Sequence, residues 1–241
     1  MCAELGHRLE KFKKYAIMKY MKKLGFTLAE VLITLGIIGV VAALTLPSVN
    51  QKLEDQRNMA ALKKVYSVLQ QATNLAISEH ENPVYWGMQD NSTESITQMY
   101  EYYKPYFNMM RECPNKPGCW AYPTKNLNGT TYWSAHNTAW FQYAFTLTNG
   151  TNILMDIYEP ATIRRGFGNN VDMDCLIFWV DINADTPPNT IGRDIFAFIV
   201  TERGLQPAGL DSTETCTPTK EGWSCVSKII KDGWEIRYSK K

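Results

Sequence analysis

The chain is 241 residues long, 45% hydrophobic, 20% charged and 12% aromatic, with a formal net charge of +1; this excludes a disordered or fibrous protein and suits one globular domain with an appendage. Residues 1–25 hold seven Lys and Arg against Glu4 and Glu10, leaving 18 basic and 22 acidic residues in the remaining 216. A mildly acidic body argues against nucleic acid as a partner, because phosphate contacts need clustered Lys and Arg.

From Phe26 to Leu46 the chain runs 21 residues with Glu30 as its sole charge, and at about 1.5 Å per residue such a helix crosses a hydrocarbon layer of roughly 30 Å. Lys11, Lys13, Lys14, Lys19, Lys22 and Lys23 precede it, which keeps that end cytoplasmic and sends the body outward. A secretory signal peptide shares the basic-then-apolar order, but VAALTLPSV offers only a poor small-x-small cleavage site and the run exceeds a typical h-region. A plain anchor leaves Glu30 unexplained, since a charge at the centre of a span costs about 2.5–3.5 kcal/mol. A cut between Gly25 and Phe26 would create an α-amine about one helical turn from Glu30. That amine can meet the carboxylate in its own helix or in a neighbouring subunit displaced along the axis.

The stretch KKLGFTLAEVLITLGIIGVVAALTLPSV resembles the class III signal of type IV pilins and type II secretion pseudopilins: a basic leader ending in glycine, phenylalanine first in the mature chain, glutamate fifth, then an apolar helix with a proline near its end. The resemblance spans about residues 18 to 80. It implies that a membrane-embedded prepilin peptidase cuts after Gly25 and methylates the Phe26 amine to N-methylphenylalanine. Glu30 then neutralises the Phe26 amine of an adjacent subunit during assembly. A leader of 25 residues is long for the short-leader branch, and starts at Met18 or Met21 give shorter ones.

Beyond Pro47, Leu53, Leu62, Val65, Leu69, Ala72 and Ala76 recur at helical spacing while Lys52, Arg57, Lys63 and Lys64 take other faces, so one helix is expected to continue to about Ser78 with a bend near Pro47. Gly36, Gly39, Ala42 and Ala43 place small residues where neighbouring helices can approach in lipid, or where membrane helices simply tolerate them. Asn82-Pro83 stops the helix, and residues 92–111 read as a short helix interrupted at Pro105. AWFQYAFTLT and TNILMDIY flank Asn149-Gly150, which predicts a hairpin with a two-residue type I′ turn. CLIFWVDI, DIFAFIVT and GWEIRY supply three further strand-like runs.

The expected fold class is α+β: a long N-terminal helix, membrane-spanning in its first half and amphipathic in its second, packed on an antiparallel sheet, the shape that pilin resemblance also implies. The expected organisation is a leader at 1–25, a transmembrane assembly helix at 26–47, an amphipathic stalk at 48–80 and a globular head at 81–241.

Topology places the head in an oxidising space, so disulfides are expected within two local pairs, Cys113 with Cys119 and Cys216 with Cys225, neither of which has redox or zinc spacing. Cys175 is then an odd buried thiol. Asp181, Asn183 and Asp185 alternate in DINADTPPNTIGRD, with Asp194 further on. Such oxygen donors suit Ca²⁺, though Thr186 stands where an EF-hand needs glycine, and a polar turn loop accounts for the same residues. Calcium binding by major pseudopilins, in a loop near the C-terminal end of the head, is what the resemblance adds, though their usual motif is absent here.

Catalytic signatures such as GxSxG, HExxH and a P-loop are missing, and neither His80 nor His136 has a partner that the sequence identifies. By resemblance the protein is a structural subunit rather than an enzyme. It sits in the bacterial inner membrane with its head periplasmic or extracellular, and polymerises with itself and other pilins through an assembly platform with a cytoplasmic ATPase. Surface pilus (fimbrium), type II secretion system pseudopilus and DNA-uptake pilus are the competing uses. A monomeric anchored binding domain, exposing Tyr and Trp between residues 100 and 143, is the alternative from another class.

Overall fold

The computed structural model describes residues 26–114, 116, 118–120, 122–133, 142–184 and 186–238. Its first element, α1, is the 53-residue helix Leu28–His80, with Pro47 inside it. The chain divides into two compact units, Met1–Gln51 and Lys52–Lys241.

In the first unit the helix is bare. Leu28, Leu32, Ile33, Leu35, Ile37, Ile38, Val40 and Leu44 are all exposed, and by length and composition this stretch can cross a membrane. Water alone does not leave such a surface open, so the composition itself calls for lipid or other apolar helices around it.

In the second unit α1 turns amphipathic. Met59, Leu62, Val65, Leu69, Ala72, Thr73 and Ala76 are buried along one stripe, at the three- and four-residue spacing that keeps side chains on one face. Leu53, expected in that stripe, is 46% exposed, because the apolar cluster that covers the helix begins at Met59. The helix ends where Glu81 adopts φ of 67°. There the Trp86 indole N–H donates to the His80 and Glu81 carbonyls at 2.9 and 3.2 Å, supplying partners to terminal groups the helix leaves open.

Among the described residues the head is built on a six-stranded antiparallel sheet in the order β1-β4-β5-β6-β7-β8. The strands are β1 (Met109–Pro114), β4 (Tyr143–Leu147), β5 (Asn152–Tyr158), β6 (Cys175–Asp181), β7 (Ile195–Thr201) and β8 (Gly204–Pro207). A separate ribbon pairs β2 (Thr124–Lys125) with β3 (Thr131–Trp133). Helix α2 (Thr93–Tyr103) is capped by Ser92, whose Oγ accepts from the Ser95 N–H, and α3 (Cys225–Lys231) lies near the C-terminus.

One sheet face carries Phe145, Ile153, Met155, Ile157, Phe178 and Phe198 against α1 and α2. Tyr66 stacks on Phe198 at 5.3 Å, and the Tyr103 hydroxyl donates to Thr73 Oγ1 at 3.1 Å, which satisfies the one polar group in the stripe. The other face carries Leu154, Ile177, Trp179, Ala197 and Ile199 beneath Ile163, Phe167 and Ala208. β6 and β7 are therefore buried at every position, which is why they read as unbroken apolar runs. Each such Ile, Leu or Phe contributes about 1.5–3 kcal/mol by leaving water.

Three expectations need correction. The β4–β5 hairpin closes through a longer loop: the Gly150 N–H donates to Leu147 O, the Leu147 N–H donates to Thr151 O, both at 2.9 Å, and of Asn149 and Gly150 only Gly150 takes positive φ. This is the one-turn-plus-bulge closure, in which a single left-handed residue suffices. GWEIRY is not a strand; Ile236 and Tyr238 bury singly, after Trp234 turns the chain at φ of 65°. The stretch 92–111, expected as a short helix interrupted at Pro105, is helical to Tyr103 with a 3-10 turn at Lys104–Tyr106, and departs from the expectation beyond the proline, where Met109 onward joins the sheet as β1. Pro105 lacks the N–H that a longer helix needs.

Candidate assembly site on the exposed helix

Two observations converge at the N-terminal end of α1. Phe26 is 84% exposed, and the large apolar side chains after it are exposed as well. Glu30 lies in the first turn as the one acidic residue there. Its carboxylate is not idle: Oε2 accepts from the Thr27 backbone N–H at 2.9 Å and from the Thr27 hydroxyl at 3.0 Å, while the Glu30 N–H donates to Thr27 Oγ1 at 3.2 Å. This reciprocal T-x-x-E arrangement is a capping box, which satisfies backbone donors that a helix start leaves open.

The sequence reading paired Glu30 only with the Phe26 amine and missed Thr27, although Thr27 and Glu30 stand at the spacing that defines the motif. Around Gly36 and Gly39 nothing lies within 4 Å of where a Cβ would sit, so both positions can admit another helix at close range. Gly25, the expected cleavage residue, lies outside the described residues.

The cysteines and the loop after β6 lie in the head. Cys113 is joined to Cys119, Cys216 to Cys225, and Cys175 is a buried free thiol. Burial pushes the Cys175 thiol up to about 12, with Asp174 and Glu202 adding to the effect, so it stays protonated.

Asp181, Asn183 and Asp194 come together, whereas Asp185 lies outside the described residues. Asp194 is fully buried. Its Oδ1 accepts from the Thr190 N–H at 2.6 Å, and its Oδ2 accepts from the Asn189 N–H at 2.8 Å and from Asn183 Nδ2 at 3.3 Å. Burial raises its carboxyl, and those donors oppose the rise. Asn183 N–H donates to Asp181 Oδ1 at 3.3 Å, and Asn183 Oδ1 is buried without a hydrogen-bond partner. Among the described residues no three His, Cys, Asp or Glu side chains form a metal-sized group.

The aromatic surface expected between residues 100 and 143 is in large part core. Tyr100, Tyr103 and Trp120 are buried, and Tyr100 stacks on Tyr143 at 3.6 Å, because α2 lays its apolar side on the sheet. His80 stacks on Tyr102 at 3.8 Å; His136 lies outside the described residues. A cleft of about 390 Å³ opens among Val84, Asn169, Arg203, Gln206 and Asp211, and its lining contains neither histidine nor cysteine.

Comparison with known proteins agrees with the helix rather than the cleft. Residues 20–46 match the family model described as the prokaryotic N-terminal methylation motif, the prepilin-type class III signal. No curated protein and no solved structure matches the chain.

Proposed function

We propose that this chain, which carries the prepilin-type N-terminal methylation motif, is a structural subunit of a type IV pilus-like or type II secretion pseudopilus filament. The observation that carries the reading is the matched motif on a bare apolar helix with a single carboxylate in its first turn, followed by a folded head. Prepilin peptidase cuts after Gly25 and methylates Phe26. The subunit waits in the inner membrane as a single-pass protein with its head outside. An assembly platform with a cytoplasmic ATPase then draws it into a helical filament of like subunits. Contacts that repeat head to tail without closing a ring produce such open polymers.

Within the filament, apolar packing of the exposed helices supplies the driving force, and Glu30 meets the Phe26 amine of a neighbour, which sets axial register. The test is the accurate mass of the N-terminal peptide from native membranes. A peptide starting at Phe26 and one methyl heavier than its sequence is expected. An intact leader or a terminus beyond Leu46 overturns the reading and favours the anchored binding domain.

A second proposal concerns the loop after β6. Asp181, Asn183, Asp185 and Asp194 are the oxygen donors that would hold Ca²⁺, and the buried, unpartnered Asn183 Oδ1 is the observation that favours it. Bound there, the ion would supply positive charge beside the buried Asp181 and Asp194 carboxyls.

A further inference from the structure

The sheet face that turns away from α1 contains a carboxyl that no cation pairs with among the described residues. Asp156, on the central strand β5, is 2% exposed. It accepts from Gln142 Nε2 at 2.7 Å, from the Ile157 N–H at 2.8 Å and from the Tyr158 hydroxyl. The Tyr158 hydroxyl lies 3.2 Å from that of Tyr132 on β3. Three parts of the chain therefore meet at one group: the residue leading into β4, strand β5 and, through the tyrosine pair, the β2–β3 ribbon.

The titratable neighbours do not compensate a charge there. Tyr132 faces Asp156 from β3 and Tyr158 from its own strand. Cys175 lies on the same face of β6, opposite Tyr158. Asp90, from the loop before α2, opposes ionisation, and Asp174 and Glu159 stand behind Asp90. No Lys, Arg or His forms an ion pair with Asp156 among the described residues. A buried carboxylate without a counter-charge is costly, whereas the neutral acid keeps its hydrogen bonds and loses that cost.

We propose that Asp156 is a proton-operated latch: neutral, it fastens the β2–β3 ribbon and the lead into β4 onto the sheet, and ionised, it loosens both. Burial pushes its carboxyl up to about 7 from 3.8, with the Gln142, Tyr158 and Ile157 donors pulling the other way. A group raised in the folded state stabilises fully at acid pH below its unfolded value and loses that contribution as pH rises through about 7. Across that window one such proton changes the unfolding equilibrium by about tenfold per pH unit. The latch belongs to the head and holds whether or not the chain polymerises.

The test uses the full chain in detergent micelles, with hydrogen exchange over residues 124–133 and 142–147, corrected for intrinsic rates, and thermal unfolding followed from acid to mildly alkaline pH. Protection in both segments and the unfolding midpoint are expected to fall from about pH 4 to about pH 7 and to level off above it, and Asp156→Asn is expected to abolish that fall. Wild-type behaviour that ignores pH, or an Asp156→Asn variant with the same pH response, overturns the proposal. If that variant does not fold, infrared spectra of wild-type protein with isotope-labelled aspartate decide: a protonated-carboxyl band that disappears through neutrality supports the latch, and its absence on the acid side, where surface acids are already ionised, overturns it.

Discussion

Thr27 and Glu30 hold each other across the first turn of α1, each accepting a backbone N–H from the other and the two side chains bonding directly. An isolated subunit in lipid therefore does not carry a bare carboxylate. Under the proposed assembly, a neighbour's Phe26 amine would have to share or displace the Thr27 donors. Glu30→Leu removes the carboxylate and should be inserted and cut normally while yielding few filaments in sheared-surface preparations. Thr27→Val removes the hydroxyl at similar shape and should cost about 1 kcal/mol of helix-start stability without blocking cleavage. Normal filament yield from Glu30→Leu would sink the assembly role.

Close backbone approach makes Gly209 one of the glycines of the head that cannot take a side chain without displacing backbone. It has φ of 91°, and an added Cβ would sit 2.1 Å from the Ser224 carbonyl oxygen. Its N–H also donates to Phe167 O and Asn169 Oδ1. Gly209→Ala should therefore force the α3 end of the chain away from β8 and leave little folded protein. Gly150 has φ of 86° with nothing within 4 Å, so Gly150→Ala should cost only the left-handed backbone strain, about 1–2 kcal/mol. Comparing the two by thermal unfolding separates steric clash from strain.

The second disulfide positions an aromatic residue as well as closing a loop. Cys216 and Cys225 are both buried and bracket Trp223, whose ring lies 4.8 Å from Tyr132 and 5.2 Å from Phe167 and whose Nε1 donates to Asn126 Oδ1. A Cys216→Ser, Cys225→Ser double variant should lose about 2–3 kcal/mol. Its tryptophan emission should move to longer wavelength as Trp223 meets water. A pure loop-entropy effect would lower the denaturation midpoint and leave the native emission unchanged.

The sheet was legible where the apolar pattern is local and long. FAFIV and LIFWV are runs that only a strand buried on both faces explains once helix length is excluded. The cover over the second face was not legible. Ile163 and Phe167 come from a short helical segment, Pro160–Thr162 running into Ile163–Phe167, Ala208 and Trp120 come from loops, and α3 spans only seven residues, all too short for a helical repeat to register. GWEIRY misled because its Trp, Ile and Tyr alternate as a strand's would, while whether a neighbouring strand pairs with them is decided far away in sequence. The candidate site divides the same way: Glu30 announced itself by charge in an apolar run, but Thr27 is an ordinary residue until the helix start is fixed.

Asp194 holds the loop after β6 through hydrogen bonds from Asn183, Asn189 and Thr190. Asp194→Ala takes its acceptor from the buried Thr190 N–H and from the part-buried Asn189 N–H and Asn183 amide, and the loss at the buried donor costs about 1–3 kcal/mol; a fall of at least that size in denaturant unfolding is expected, whether or not a metal binds. Asp194→Asn keeps one acceptor oxygen but turns an NH₂ toward donors, so it should lose part of that stability. Calcium is read out separately. If the ion occupies the loop, raising Ca²⁺ above its dissociation constant must raise the unfolding midpoint by mass action, by about 2.7 kcal/mol at a hundredfold excess. Chelator must reverse the gain, and Asp194→Asn must abolish it. Stabilisation that survives in Asp194→Asn would place the ion elsewhere, and no stabilisation at millimolar Ca²⁺ would leave the loop closed by its own N–H donors.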